Sequence, residues 1–359
     1  MARAGNRPGP SPKEAENGPL NQQTRIDMFK KTARYATLAL IGLLPMASAA
    51  SAETLIIGNF GTPIPMMTKV NTEEYAKAMG YDVEWRKFAS GTDVIAAMAS
   101  GDVKLAALGS SPFAIAASQG VPIKLFMIGD VIGQAESLIA HDGSGISSLA
   151  DLKGKRVAVP VGSTAHFSLT GALKHEGISE SDLTILSMSP DQIAAAWEQN
   201  AIDAAWIWDP VQSQLLKSGT RIMGADETAK WGYPTFDGWV VNSQWAEEHP
   251  EAVAGFVKVT AAADAAYIDN KDAWTADSAE VKEIATNTGA DAAQVPGILG
   301  GYTFLKPADQ VGADWLGGAM APAIKSTAEF LKEAGRIDSV ADDYSQFITL
   351  KPLQDAMGE

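Results

Sequence analysis

The 359-residue sequence contains no cysteine. Disulfides, cysteine-ligated metals and thiol nucleophiles are therefore excluded. Basic charge is sparse: 28 Lys and Arg stand against 43 Asp and Glu, a formal net charge of −15 at pH 7. Seven of the basic and three of the acidic residues lie in the first 52, so the rest of the chain carries 21 basic against 40 acidic residues. Such a surface repels nucleic acid and anionic lipid, and neither is expected as a partner. An anionic ligand would need a local pocket made from main-chain dipoles or a buried arginine. Histidine is scarce as well. His141, His166, His175 and His249 show no metal-ligand spacing, and neither a metal nor another cofactor is expected. The sequence has no Gly-x-Ser-x-Gly elbow, no Walker A loop and no Gly-x-Gly-x-x-Gly turn. His166 near Ser163 and Ser168 reads as a structural histidine, and Glu247-Glu248 as a solvated face. No base–nucleophile pair is visible, so an enzyme is not expected.

Long apolar runs are also missing. Tyr35 to Met46 is apolar but too short for the ~20 residues of a spanning helix. What surrounds it has the form of an export signal. Met28–Arg34 is basic, and Ala47-Ser48-Ala49-Ala50-Ser51-Ala52 ends in a small-x-small cleavage pattern. Glu53 is the expected mature start. Without cysteine at the cleavage point, lipid anchoring there is impossible. Residues 1–27 are polar and rich in Gly, Pro, Asn and Gln. They read as a disordered extension or as the product of an early start codon.

In the mature chain, strand and helix signals alternate, which predicts an α/β fold. Strands are expected at 54–58, 83–85, 105–108, 123–128, 135–140, 156–160, 183–187, 204–208 and, last, 237–241. Helices are expected at 66–79, about 93–100, 113–119, 165–176 and 190–199, with another from Pro210. From Pro250 onward the chain reads as mainly helical: 250–268, 276–287, 291–299 and 314–334. Two halves of similar design face each other. In the first, a helix leads to Gly101-Asp102-Val103, a strand, then Ser110-Ser111-Pro112. In the second, a helix leads to Asn200-Ala201-Ile202-Asp203, a strand, then Asp209-Pro210.

The chemistry lies in polar turns at the ends of strands. Leu108-Gly109-Ser110-Ser111-Pro112 joins an apolar strand to a helix, with a Ser cap and Pro at the first helical position. Gly162-Ser163-Thr164 does the same after strand 156–160. Free N–H groups at a helix N-terminus and the helix dipole favour an anion, although such junctions are also common as plain structure. Both turns suit a tetrahedral oxyanion. A third feature is a carboxylate among aromatics: Trp231, Tyr233 and Phe236-Asp237-Gly238-Trp239, with Trp206-Ile207-Trp208-Asp209 nearby in kind. A carboxylate flanked by indole rings suits an ammonium. Trp206 is expected in the core, Trp208 suits either core or ligand, and Asp237 could instead cap a turn. Anion site and cation site together describe a small zwitterion.

These residues resemble the sulfonate/nitrate/taurine group of type II binding proteins of ABC importers, and within it the periplasmic taurine-binding proteins. The likeness spans roughly residues 54–348. It is carried by Val83-Glu84-Trp85-Arg86-Lys87-Phe88, Ala99-Ser100-Gly101-Asp102-Val103, Leu108-Gly109-Ser110-Ser111-Pro112, Gly154-Lys155-Arg156-Val157-Ala158-Val159-Pro160, Ala194-Ala195-Ala196-Trp197 and Trp239-Val240-Val241. The resemblance implies a two-lobed type II periplasmic binding protein fold with the ligand cleft between lobes and a C-terminal helical segment. Lobe 1 would comprise 53–139 and 241–359, and lobe 2 would comprise 140–240, with hinges near 138–142 and 238–242. It further implies sulfonate held at Ser110, Ser111 and Thr164, amine held by Asp237, and Glu136 at a cleft position. Trp208, Gly61 and Thr62 complete the expected ligand contacts. The implied partners are taurine or a similar small sulfonate, a membrane permease and its ATPase, with the binding protein itself a periplasmic monomer. Two turns depart from the pattern. Phe60-Gly61-Thr62-Pro63 stands where a polar Gln-Thr-Ser is familiar, and Trp208-Asp209-Pro210 where Trp-Ala-Pro is. An added carboxylate at Asp209 could shift ligand choice towards another sulfonate or small anion. A related fold occurs in thiamine-pyrimidine synthases, which carry a cysteine-rich motif; zero cysteine argues against that route.

Overall fold

The computed structural model describes residues 53–359, which lie within one compact unit. The expected export signal over 28–52 and the extension before it lie outside the described residues. Among the described residues, no helix is long and apolar enough to cross a membrane.

Among the described residues, eleven strands form two sheets: β1 (Thr54–Asn59), β2 (Asp82–Lys87), β3 (Leu105–Gly109), β4 (Ile123–Ile132), β5 (Glu136–His141), β6 (Arg156–Val159), β7 (Thr184–Ser187), β8 (Ala204–Trp208), β9 (Gly219–Gly224), β10 (Phe236–Asn242) and β11 (Tyr302–Thr303). The first sheet runs β11-β4-β10-β3-β1-β2 and the second β7-β6-β8-β5-β9. In the first, β1 lies parallel to β2 and β3, while β10 is inserted antiparallel between β3 and β4. In the second, β6 is parallel to β7 and β8, and β5 is antiparallel to β8 and β9. The central strands read as unbroken apolar runs because helices cover both faces. Leu105, Ala106 and Leu108 on β3 are fully buried. Each such leucine contributes about 1.5–3 kcal/mol by leaving water.

The chain passes between the sheets twice. β5 lies wholly in the second sheet and β10 wholly in the first. The crossings therefore fall at 133–135 and between β9 and β10, at about 225–235. This corrects the expected boundaries at 139/140 and 240/241, which cut into β5 and β10. Apolar strands look alike whichever sheet they join, so local pattern carries no sign of the exchange.

Other expectations are adjusted in the same way. The stretch 66–79 is not one helix. A short 3-10 turn at Pro65–Thr68 is followed by a break and then the helix Glu74–Met79, closed by Gly80 in the left-handed region. Thr72 Oγ1 donates to the Lys69 carbonyl at 2.8 Å, a local bond that competes with helix continuation. β9 and the helix Ala225–Lys230 were not anticipated, and β11 follows the strand expected to be last. β11 has two residues, too few to show a period. The C-terminal helical segment is present, with helices Pro250–Ile268, Ala279–Thr288, Val295–Gly300, Met320–Glu333 and Lys351–Met357.

Candidate functional site

β3 runs straight into the helix Ser110–Ser118. Gly109, not a serine, is the cap, so Ser110 and Ser111 occupy the first turn and Pro112 the third position. Their two main-chain N–H groups have no acceptor within the helix, and proline has none to offer. The Ser110 hydroxyl is engaged, accepting the Phe236 N–H at 3.3 Å. The Ser111 hydroxyl, 1 % exposed, has no partner. On the other sheet, Ser163 caps the helix Thr164–His175 and accepts the His166 N–H at 3.2 Å. This leaves the N–H groups of Thr164 and Ala165 free.

β10 delivers Asp237 between two neighbours. Gly109 faces it on β3, and Asp130 faces it on β4. β5 delivers Glu136 directly opposite Trp208 on β8. Thr164 Oγ1 donates to Glu136 Oε1 at 2.5 Å, while Glu136 Oε2 is buried without a partner. The two sheets meet across this place. A Cβ placed on Gly109 would lie 2.7 Å from Thr164 Cγ2 and 3.2 Å from Asp237 Oδ1.

Between them lies a narrow cleft. Thr62, Glu136, Thr164, Trp208 and Asp237 line it, together with Phe60, Gly91, Gly109, Pro112, Ser163 and Tyr302. None of these is basic. Burial raises the acids: Glu136 is pushed up to about 8, against the pull of the Thr164 hydrogen bond and with help from the Asp237 charge. Asp237 is pushed up to about 7 by burial alone. Asp130 is held well above the usual carboxylate range, first by burial and then by the charges of Asp237, Asp264 and Glu136. Carboxylates without a cation resist ionisation, so this cleft favours a positive group.

Gly61 does not line the cleft. It shapes the turn, at φ +68°, where its N–H donates to Asn59 Oδ1 at 2.8 Å. Asp209 is turned away as well: it accepts the Ser213 N–H at 3.0 Å and Gln212 Nε2 at 3.2 Å. The added carboxylate is thus absorbed by a helix start. The expected aromatic surround of Asp237 is different in fact. Trp231 stacks on His175 at 3.9 Å, Tyr233 packs on Phe330 at 5.0 Å, and Trp239 packs on Phe256 at 4.7 Å. The rings at the cleft are Phe60, Trp208 and Tyr302. Trp206 is fully buried, as a core residue should be. His166 is structural too, its Nδ1 accepting the Gly162 N–H at 3.2 Å. Tyr302 and Asp130 were missed. The one signal available for Asp130 was a carboxylate set inside an apolar strand. Among the described residues there is no group of acids and histidines arranged to hold a metal ion.

Comparison with known proteins follows the same line. The model of the family described as NMT1/THI5 like matches residues 71–273, more than half of the chain. The Taurine-binding periplasmic protein of Escherichia coli K12 is 39 % identical over 323 residues, covering 90 % of this chain and 99 % of that protein. Among solved structures, the alkanesulfonate-binding protein SsuA from Xanthomonas axonopodis pv. citri, bound to MOPS, superposes with a TM-score of 0.69 at 21 % identity, over 84 % of this chain and 99 % of that one. The periplasmic aliphatic sulphonate binding protein SsuA from Escherichia coli gives 0.64 at 22 % identity, over 81 % of this chain and 91 % of that one. These structures share the periplasmic binding protein fold with this chain. By the family model and by its similarity to a relative matched along nearly its whole length, the chain belongs to the NMT1/THI5-like family.

Proposed function

We propose that this protein is the substrate-binding component of an ABC importer and that its ligand is taurine. The observation that carries the reading is a cleft with two carboxylates, Glu136 and Asp237, and two helix N-termini but no basic side chain. A sulfonate is anionic at any ordinary pH and needs only donors. The free N–H groups of Ser110, Ser111 and Thr164 and the unpartnered Ser111 hydroxyl supply them. Asp237, with Glu136 beside it, supplies the acceptors for the ammonium. Thr164 contributes through its main chain, since its hydroxyl is given to Glu136. Phe60, Thr62, Trp208 and Tyr302 wall the ligand in. Taurine binding by the Escherichia coli relative supports the choice.

The function is capture without chemistry. Lobe 1, around the first sheet, and lobe 2, around the second, close over the ligand by bending at the two crossings. The closed monomer then docks on a membrane permease, and an ATPase drives release. The basic, apolar and small-residue segments of 28–52 would export the protein to the periplasm and be removed there. Asp237→Ala tests the site. Titration calorimetry is expected to show taurine binding weakened at least about tenfold, or ~1.4 kcal/mol, with unchanged circular dichroism. Unchanged affinity would remove Asp237 from the site.

A further inference from the structure

A contact outside the cleft joins the two halves of the molecule, and taurine capture as described makes no use of it. The helix Met320–Glu333 belongs to the first sheet. Ile324, Ala328 and Leu331 lie in the apolar core around that sheet, and the helix packs on Ser110–Ser118. Gly335, at φ +69°, ends it. The Gly335 N–H donates to the Lys332 carbonyl at 2.9 Å and the Arg336 N–H to the Leu331 carbonyl at 2.8 Å, which fixes where Arg336 leaves the helix.

The helix Thr164–His175 belongs to the second sheet, with Ala165, Leu169, Ala172 and Leu173 in the core there. Phe167 is the exception: it is 3 % exposed and sits in the core of the first sheet. Phe167, Thr170 and Lys174 recur at helical spacing and share one face. Phe330 meets Phe167 edge-on, 5.1 Å between ring centres, and Lys174 Nζ lies 5.1 Å from the Phe330 centre. Lys174 Nζ is also 2.6 Å from Glu333 Oε2. Thr170 Oγ1 donates to Glu180 Oε1 at 2.7 Å, and Glu180 Oε2 accepts from Arg336 Nη2. The same Nη2 lies 3.4 Å from His166 Nε2, in the first turn of the helix whose N-terminus faces the cleft.

None of these residues lines the cleft. Two open grooves flank the contact, and Lys174, Phe330 and Glu333 line both. A contact this solvated can part and re-form. Its two ion pairs are partly exposed, and each such pair shifts an equilibrium by up to about fivefold.

Building on the reading of two lobes that close over the ligand, we propose that this contact is a clasp, formed as the lobes close and broken before they open. It stabilises the closed state alone, so it slows the departure of taurine without touching it. Phe330, Glu333 and Arg336 are positioning residues. They hold the helix Thr164–His175, and with it the N-terminus assigned to the sulfonate, against the first lobe.

The test follows taurine release from the mature protein by stopped-flow tryptophan fluorescence, since Trp208 lines the cleft. Glu333→Gln combined with Arg336→Gln breaks both ion pairs and should speed release about tenfold while changing association less than about twofold. Arg336→Lys keeps the charge and should release taurine within about threefold of the wild type. Wild-type release should speed at least about threefold between about 0.05 and about 0.5 M NaCl, a dependence the double variant loses, because salt screens exposed pairs. This wild-type arm needs no variant to fold. Unchanged release in the double variant, wild-type release indifferent to salt, or an affinity loss that comes from slower association alone overturns the clasp while taurine capture stands. Failure of taurine to bind the wild type overturns the taurine reading, and the clasp as a brake on its release falls with it.

Discussion

Asp237 is the acid that β10 brings to the cleft, paired with Gly109 on β3 and with Asp130 on β4. In the proposed site the Ser111 hydroxyl, buried beside the cleft without a bond within the protein, is a donor for the sulfonate. Ser111→Ala removes one neutral donor, worth about 0.5–1.5 kcal/mol. Taurine affinity should fall by about two- to tenfold in a calorimetric titration, with no loss of thermal stability, since no internal bond is broken. Thr164 and Asp237, which line the cleft, and the helix start at Ser110 and Ser111 beside it were legible in the sequence, because turn and cap chemistry is local. Asp130 and Tyr302 were not. Asp130 lies in a strand of apolar residues, and Tyr302 comes from a two-residue strand; each reaches the site only through pairing with β10 or β4. Gly61 and Asp209 show the opposite case. Gly61 reads as a ligand contact and Asp209 as a carboxylate that could shift ligand choice, yet one shapes a turn and the other accepts the Ser213 N–H at a helix start.

The strand–helix junction at Gly109 is an element where the two sheets meet. Gly109 has φ −65° and ψ 155°, a conformation open to any residue. Its side-chain space, however, is taken by Thr164 from the facing lobe. Gly109→Ala therefore introduces a clash across the cleft without backbone strain. Taurine affinity is expected to drop by more than about tenfold, with the unfolding midpoint of the free protein little changed. Unaltered affinity would mean that the lobes do not come this close around the ligand. The strands and long helices were legible from alternation and caps, as with Ser90 capping Gly91–Ser100 and Ser189 capping Pro190–Glu198. β9 was not, because glycine at each end and an exposed Arg221 hide a short edge strand. The sheet that each strand joins was not legible either, since β5 and β10 exchange sheets by long-range pairing.

At the scale of the whole molecule, the cleft couples stability to pH. Glu136 titrates near 8 and Asp237 near 7 in the fold, while both titrate near 4 in the unfolded chain. The folded state therefore holds more protons than the unfolded state across this window, and stability falls as pH rises. His166 opposes this at lower pH, because burial brings it down to about 4 and its contribution is lost as pH falls through the range below its unfolded value near 6.5. Above about pH 6.5 the raised carboxyl groups dominate, with Asp130 and Asp264 acting in the same sense as Glu136 and Asp237. The unfolding midpoint of the free protein should drop between about pH 6.5 and 8.5, and bound taurine should flatten that slope by stabilising the ionised carboxylates. A midpoint that rises over the same range would show that these acids are not buried as described.

The proposed site recognises both ends of a zwitterion. The direct measurement is a pair of calorimetric titrations of the mature protein at about pH 8, where Asp237 is largely and Glu136 about half ionised, with taurine and with ethanesulfonate. The two ligands share the sulfonate and differ at the amine. Taurine is predicted to bind at least about a hundredfold more tightly, the scale of a charge-assisted contact with a buried carboxylate. Equal affinities would contradict the account and leave Asp237 and Glu136 without a ligand to hold.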